Sequence, residues 1–359
     1  METLLKRIAD RARGLALNHG DSAEVAVTKI LDELSDAEEL PFERELARNA
    51  LAVLSGFGPL EPFMNDPAVE ELWMNEPNVL FVNKGGRSER LQIDFDAEAQ
   101  RVVLDRMLRS VGRRIDRSSP FVDAPLQDGS RLHAVIPDVT RMHLSFNIRR
   151  FISNKSTLEN AVETGVATLG QVGVLKRALL ARRTIFVSGA TAAGKTTLLC
   201  ALLDALPSNE RIVSVEDTFE ISLNKPDWVA MQTRPASAEG AGEIDLRKLI
   251  REALRMRPDR LVVGEVRGAE ALELLVGLNS GIPSLGTVHA NSAEHAMTKL
   301  MTLPLLSGAS ISAEFAKQVL GSTVGLIAHC VLGANGTRRI GELKTVRYVN
   351  GDLRFEDAA

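Results

Sequence analysis

The residues best suited to chemistry lie in the stretch GATAAGKTTL, positions 189–198. Its spacing fits GxxxxGK[ST], a loop whose backbone N–H groups, together with the N-terminus of the following helix, point at phosphates. In this pattern Lys195 reaches the β and γ oxygens of a nucleoside triphosphate, and the Thr196 hydroxyl ligates Mg2+. The loop stands between an apolar strand, TIFVSGA, and a good helix former, KTTLLCALLDAL, which is the setting the motif requires. Ala192 occupies a turn position that calls for a positive φ, which costs a residue bearing a Cβ roughly 1 kcal/mol or more.

Two acidic positions accompany the loop. In VSVEDTFE, Glu216 and Asp217 follow a strand, and in RLVVGE, Glu265 ends another. Both places fall at the carboxyl edge of an open α/β sheet, where ligands bind. One carboxylate there can orient water while another holds hydrated Mg2+, a division of labour suited to phosphoryl transfer. A single strand-end carboxylate is commonly just solvated; two beside a phosphate loop are hard to explain that way. His289, in SLGTVHANS, either senses the γ-phosphate or belongs to a structural polar network.

Arginines form a further pattern. The basic stretch at residues 101–117 reads as a solvated or subunit-facing helix surface. Arg131, Arg149, Arg234 and Arg255 stand at strand ends and tight turns, which hold side chains at fixed places and suit arginine fingers supplied within or between subunits. Two other matches are coincidental. NKPD at 224–227 resembles a guanine-reading motif but precedes the second acidic strand and lacks a DxxG partner. LSGAS at 306–310 resembles a transporter signature but follows that strand instead of preceding it.

These residues need a scaffold. At 359 residues the chain is too long for one ordinary core and implies two principal domains. With 45% apolar and 25% charged residues it is globular, not disordered. A net charge of -4 gives no overall basic field, so direct nucleic-acid binding is not expected. Cys200 and Cys330 lack metal-type spacing and read as buried free thiols in a reducing cytoplasm, with no structural zinc. The N-terminus lacks a signal-peptide core and no window approaches the roughly 20 apolar residues of a membrane span, so membrane contact is expected only through partners. Residues 1–52 read as helical; 53–150 as a small α+β domain with a Gly85-Gly86 hairpin turn; 151–159 as a linker. From 160 to 359 strands and helices alternate, which predicts a mostly parallel, helix-covered sheet.

Several blocks in order make a more specific pattern: FGPLEP, GRRIDRSSPFVDAPLQDGSRLHAVIP, NIRRF, GATAAGKTTLL, RIVSVED, the long run from QTRPASAEG to RGAEALELL, and GTVHANS. Over roughly residues 50 to 345 the chain resembles the secretion-system ATPases of type II and type IV machinery, most closely the Tad-pilus (CpaF-like) branch. The resemblance implies a RecA-like ATPase domain behind a PAS-like N-terminal domain, assembled as a homohexameric ring with ATP at its interfaces. By position it makes Gly189, Ala190, Thr191, Ala192, Ala193, Gly194, Lys195, Thr196 and Thr197 the Walker A loop. Glu216, the catalytic carboxylate, and Asp217, a candidate Mg2+ ligand, fall in the Asp box; Glu265 is the Walker B glutamate, holding Mg2+ through water. His289 belongs to the His box, and Arg131, Arg149, Arg234 and Arg255 match phosphate-contacting arginines. The family usually has Gly-Ser where this chain has Ala192-Ala193, and the turn before the His box reads SGIPSLG.

The function expected from this resemblance is an Mg-ATP-driven motor, cytoplasmic at the inner face of the cell membrane, that moves pilin or secretion-filament subunits through an inner-membrane platform protein. A conjugation-type secretion ATPase shares fold and site. A nucleotide-gated scaffold with little hydrolysis is the alternative motivated by Ala192-Ala193.

Overall fold

The computed structural model describes residues 8, 11, 12, 15, 23–35, 56–150, 156–236, 241–308, 311–333 and 335–358. Of the expected helical segment at 1–52, those four isolated positions are helical and Ala23–Ser35 forms helix α1; the rest lies outside the described residues. Ala26, Val27, Ile30 and Leu31 are buried along one stripe of α1, as helical spacing dictates. Residues 151–155 of the expected linker also lie outside them, and Thr157 already caps a helix, its side chain accepting from Asn160 N. The chain divides into two compact units, Met1–Ile152 and Ser153–Ala359.

The first unit is α+β. A short turn of helix, α2 (Glu61–Asn65), leads into β1 (Val69–Glu76), β2 (Val79–Lys84) and β3 (Arg87–Gln92). Helix α3 (Ala97–Ser110) follows, then β4 (Phe121–Pro125), β5 (Arg131–Val135) and β6 (Ser145–Arg149). All six strands pair antiparallel in the order β3-β2-β1-β6-β5-β4. The β2–β3 hairpin turns on Gly85 and Gly86 at φ 56 and 77, the positive angles a two-residue turn needs at both central positions. Alternation sorts the strands. Leu72, Leu80, Leu132 and Ile148 join Val103, Leu104 and Leu108 of α3 in one core. Trp73 and Phe81, whose rings stack with centroids 5.4 Å apart, are only half-buried, and Arg131 and Arg149 are exposed.

The second unit opens with α4 (Leu158–Glu163) and α5 (Leu169–Leu180), then alternates. Strand β7 (Thr184–Gly189) is followed by α6 (Lys195–Asp204), β8 (Ile212–Glu216), β9 (Trp228–Gln232) and α7 (Leu246–Ala253). Next come β10 (Arg260–Val263), α8 (Glu270–Asn279), β11 (Ser284–His289), α9 (Ala293–Thr302) and α10 (Ala313–Thr323). Three strands beyond the expected alternation complete the sheet: β12 (Val324–Leu332), β13 (Arg338–Val349) and β14 (Asp352–Asp357). The order is β14-β13-β12-β7-β11-β10-β8-β9. Strands β12, β7, β11, β10, β8 and β9 run parallel, with β13 and β14 antiparallel at one end.

All six residues of β7 are buried, as a strand covered on both faces must be. Parity again sorts them. Phe186, Val213, Val215, Leu261 and Val263 meet residues of α7, α8, α9 and α10. Ile185, Val187, Ile212 and Val262 meet those of α4, α5 and α6. Because these strands are parallel and in register, the segments after β7, β8, β10 and β11 emerge at one edge. That edge is the ligand-binding side of an open α/β sheet, and the chain crosses over β11 and β10 between β7 and β8.

Candidate active site

The phosphate loop leaves β7 beside β12. Gly189, at φ 150, pairs with Cys330, and a Cβ there would stand 2.5 Å from the Cys330 carbonyl oxygen, so only glycine fits. Ala190 and Thr191 are exposed, and Ala193 is buried against the α5–α6 side of the core. Ala192 does adopt the left-handed conformation, at φ 61, so the alanine takes up the turn despite its Cβ. Gly194 is the N-cap of α6 at φ 88, and among the described residues no side chain caps it. The helix dipole favours an anion at that N-terminus.

Lys195, 8% exposed, donates from Nζ to Ala190 O at 2.8 Å and lies 3.3 Å from His289 Nδ1. The opposite ring nitrogen, Nε2, is 3.4 Å from Glu265 Oε1. An ammonium only donates, so Nδ1 accepts and Nε2–H faces the carboxylate: the geometry suits a neutral imidazole bridging Lys195 to Glu265. The Thr196 hydroxyl donates to Glu220 Oε2 at 3.0 Å. Thr197 is exposed on the first turn of α6.

Glu216, the expected catalytic carboxylate, is bonded to the loop that follows it, and a second carboxylate, Glu220, stands on that loop. Glu216 is 2% exposed, and its Oε2 accepts from Glu220 N at 2.8 Å and Ile221 N at 2.9 Å, which holds the loop after β8. Its Oε1 is buried with no partner among the described residues. Burial pushes its carboxyl up to about 7, against the two N–H bonds that pull it down. Glu220, on the loop so held, is the carboxylate that reaches Thr196. It was missed because it follows no strand directly; a carboxylate four residues beyond Glu216 was the only signal. Asp217 is paired with Arg267 at 2.5 Å, a second residue missed, standing two positions after Glu265.

The four arginines are scattered. Arg131 and Arg149 face each other on β5 and β6 of the first unit, Arg131 lying 3.5 Å from Asp123. Arg234, exposed after β9, forms an isolated bridge with Ile244 and donates from Nε to Gly242 O. Arg255, just past the end of α7 and before β10 begins, bonds exposed Glu252 at the amino edge of the sheet, opposite the phosphate loop. A different arginine reaches the loop: Arg338, at the start of β13, donates from Nε to Ala192 O at 3.0 Å. Cys200 and Cys330 are buried thiols, raised to about 11 and about 12 chiefly by burial.

A glycine-capped helix N-terminus, an ammonium, a hydroxyl and carboxylates at the ends of parallel strands define a P-loop nucleotide site on a doubly covered sheet. Comparison with known proteins gives the family. The model of the family described as type II/IV secretion system protein matches residues 53–331. A putative conjugal transfer protein of Mycobacterium tuberculosis strain H37Rv is 36% identical over 309 residues, 84% of this chain and 87% of the relative. The probable conjugal transfer protein TrbB of Sinorhizobium fredii is 30% identical over 298 residues, 82% of this chain and 88% of the relative. The pilus retraction motor PilT with bound ADP has a TM-score of 0.57 at 17% identity, covering 83% of this chain and 82% of that one, which is a likeness of fold. The chain belongs to the type II/IV secretion family and is a nucleotide-binding ATPase with a RecA-like fold.

Proposed function

We propose that the protein is an ATP-hydrolysing motor of a membrane-spanning secretion or pilus machine, working as a homohexameric ring at the inner face of the cell membrane. The observation that carries this reading is the convergence of Lys195, Thr196, Glu220, Glu265 and His289 at one sheet edge. Lys195 would exchange its Ala190 and His289 contacts for the β- and γ-phosphates, and the α6 N-terminus would take the remaining phosphate oxygens. Hydroxyl and carboxylate oxygens suit a hard cation, so Thr196, with Glu265 through water, would hold Mg2+. Bound there with ATP, the ion neutralises charge on the phosphate oxygens. Asp217, already compensated by Arg267, stands outside that set.

Glu220 is the carboxylate we assign to orienting the attacking water, with Glu216 holding the loop that presents it. His289 relays contact between Lys195 and Glu265. Arg131, Arg149 and Arg234 would supply positive charge to a phosphate, and Arg255, on the far edge of its own sheet, would serve only a neighbouring subunit.

Two machines are compatible with this site. The order of sequence blocks favours a Tad-like pilus ATPase acting on a platform protein. The names of the relatives at 36% and 30% identity favour a conjugation-type secretion ATPase. Capture of the membrane partner from its native membrane separates them. A nucleotide-gated scaffold with little hydrolysis is the reading of another class, motivated by Ala192-Ala193, with Ala192 at φ 61. Steady-state ATPase of wild type and Lys195→Ala, at concentrations that support a ring, tests the motor: equal rates would sink it.

A further inference from the structure

The geometry points to Arg338 as a positioning residue for the phosphate loop: a guanidinium on the hairpin after β12 that holds the left-handed turn Ala192 must adopt. This rests on the nucleotide reading of the loop and adds a residue to it from the C-terminal strands.

The peptide between Ala192 and Ala193 is pinned at both ends. Its carbonyl accepts from Arg338 Nε at 3.0 Å, and its N–H, on Ala193, donates to Ala190 O at 3.3 Å. Ala190 O in turn accepts from Lys195 Nζ at 2.8 Å. The alkyl stem of Arg338 lies along Gly194, where a Cβ would stand 3.4 Å from Arg338 Cδ. One side chain therefore braces residues 192 and 194, the positive-φ positions on either side of buried Ala193.

Strand register delivers it there. Cys330 of β12 pairs with Gly189, where the loop begins, and Leu332 pairs with Arg338 across the hairpin. The turn between them is fixed by Gly333 N donating to Thr337 O at 2.8 Å and Gly336 N to Gly333 O at 2.9 Å. Loop and brace thus hang from neighbouring strands of one sheet.

The physical need is specific to this sequence. Alanine resists the left-handed region, whereas glycine enters it freely. An arginine hydrogen bond to the carbonyl of that residue favours the binding-competent turn, and apparent affinity scales with the fraction of loops in that turn. Removing the brace should therefore matter with alanine at 192 and matter little with glycine there.

The test is calorimetric titration of the full chain with Mg-ADP for wild type, Arg338→Ala, Ala192→Gly and the double variant. Arg338→Ala is expected to weaken ADP binding about fivefold, the size of one net hydrogen bond, and less than about twofold in the Ala192→Gly background. Arg338→Met keeps the stem over Gly194 without a donor and replaces the alanine variant if that one melts early; the same loss and the same rescue are expected. An unchanged affinity, or an equal loss in both backgrounds, overturns the proposal; the second result would mean that Arg338 acts on the phosphates and not through the turn. Lys195→Ala, titrated alongside, reports on the phosphate site itself: unchanged ADP affinity there overturns the nucleotide reading, independently of the Arg338 ratios.

Discussion

Replacing Glu216 by glutamine isolates the cost of a buried carboxylate beside the phosphate loop. The carboxyl is raised from 4.5 to about 7, mainly by burial at 2% exposure. The sign follows from proton binding: between those pH values the folded chain keeps a proton that the unfolded chain releases. The stability this group contributes is whole below about 4.5 and is lost as the pH rises through about 7. The difference, 7 − 4.5, is about 2.5 pH units, and at about 1.36 kcal/mol each it amounts to about 3 kcal/mol. Glutamine does not titrate, and its carbonyl can still accept from the N–H groups of Glu220 and Ile221. Its amide adds a constant offset, so the pH dependence is the informative quantity. Urea unfolding without nucleotide, followed on Trp228 in a Trp73→Phe background, should show the parent losing up to about 3 kcal/mol relative to Glu216→Gln between pH 5 and pH 8. Parallel pH profiles for the two proteins would refute the reasoning.

Other perturbations have equally definite outcomes. Gly189→Ala drives a Cβ to 2.5 Å from the Cys330 carbonyl oxygen and should abolish Mg-ADP binding in a titration, with a lowered melting temperature. Arg260, fully buried, binds Glu210 at 2.6 Å and Leu179 O at 2.7 Å at the edge of the sheet away from the loop. Among the described residues Arg260→Ala leaves Glu210 with the more distant Arg182, at 3.5 Å, and should cost about 3 kcal/mol in urea unfolding.

The parallel sheet and the phosphate loop were legible because their signals are local: an apolar strand, a glycine, a lysine and a helix former follow one another directly. Glu265 and His289 were legible for a related reason, since each sits at or just past a strand end, and register then brings them to the same edge. What the sequence hid depends on tertiary placement. Glu220 lies in a loop whose path is set by Glu216 bonding to backbone, so no periodicity marks it. Arg338 meets Ala192 across 146 positions, through a hairpin whose register only the sheet reveals. The same limit applies in reverse to Arg255: its turn looked suited to a phosphate contact, but the direction of β10 puts it at the opposite edge.

The measurement closest to the central claim is ATP binding and turnover in Glu220→Gln, with the full chain in ring-forming conditions and saturating Mg2+. ATP affinity is expected within about threefold of wild type and turnover reduced by about 10^2 or more, the scale of losing a positioned general base. Turnover unchanged from wild type would contradict it.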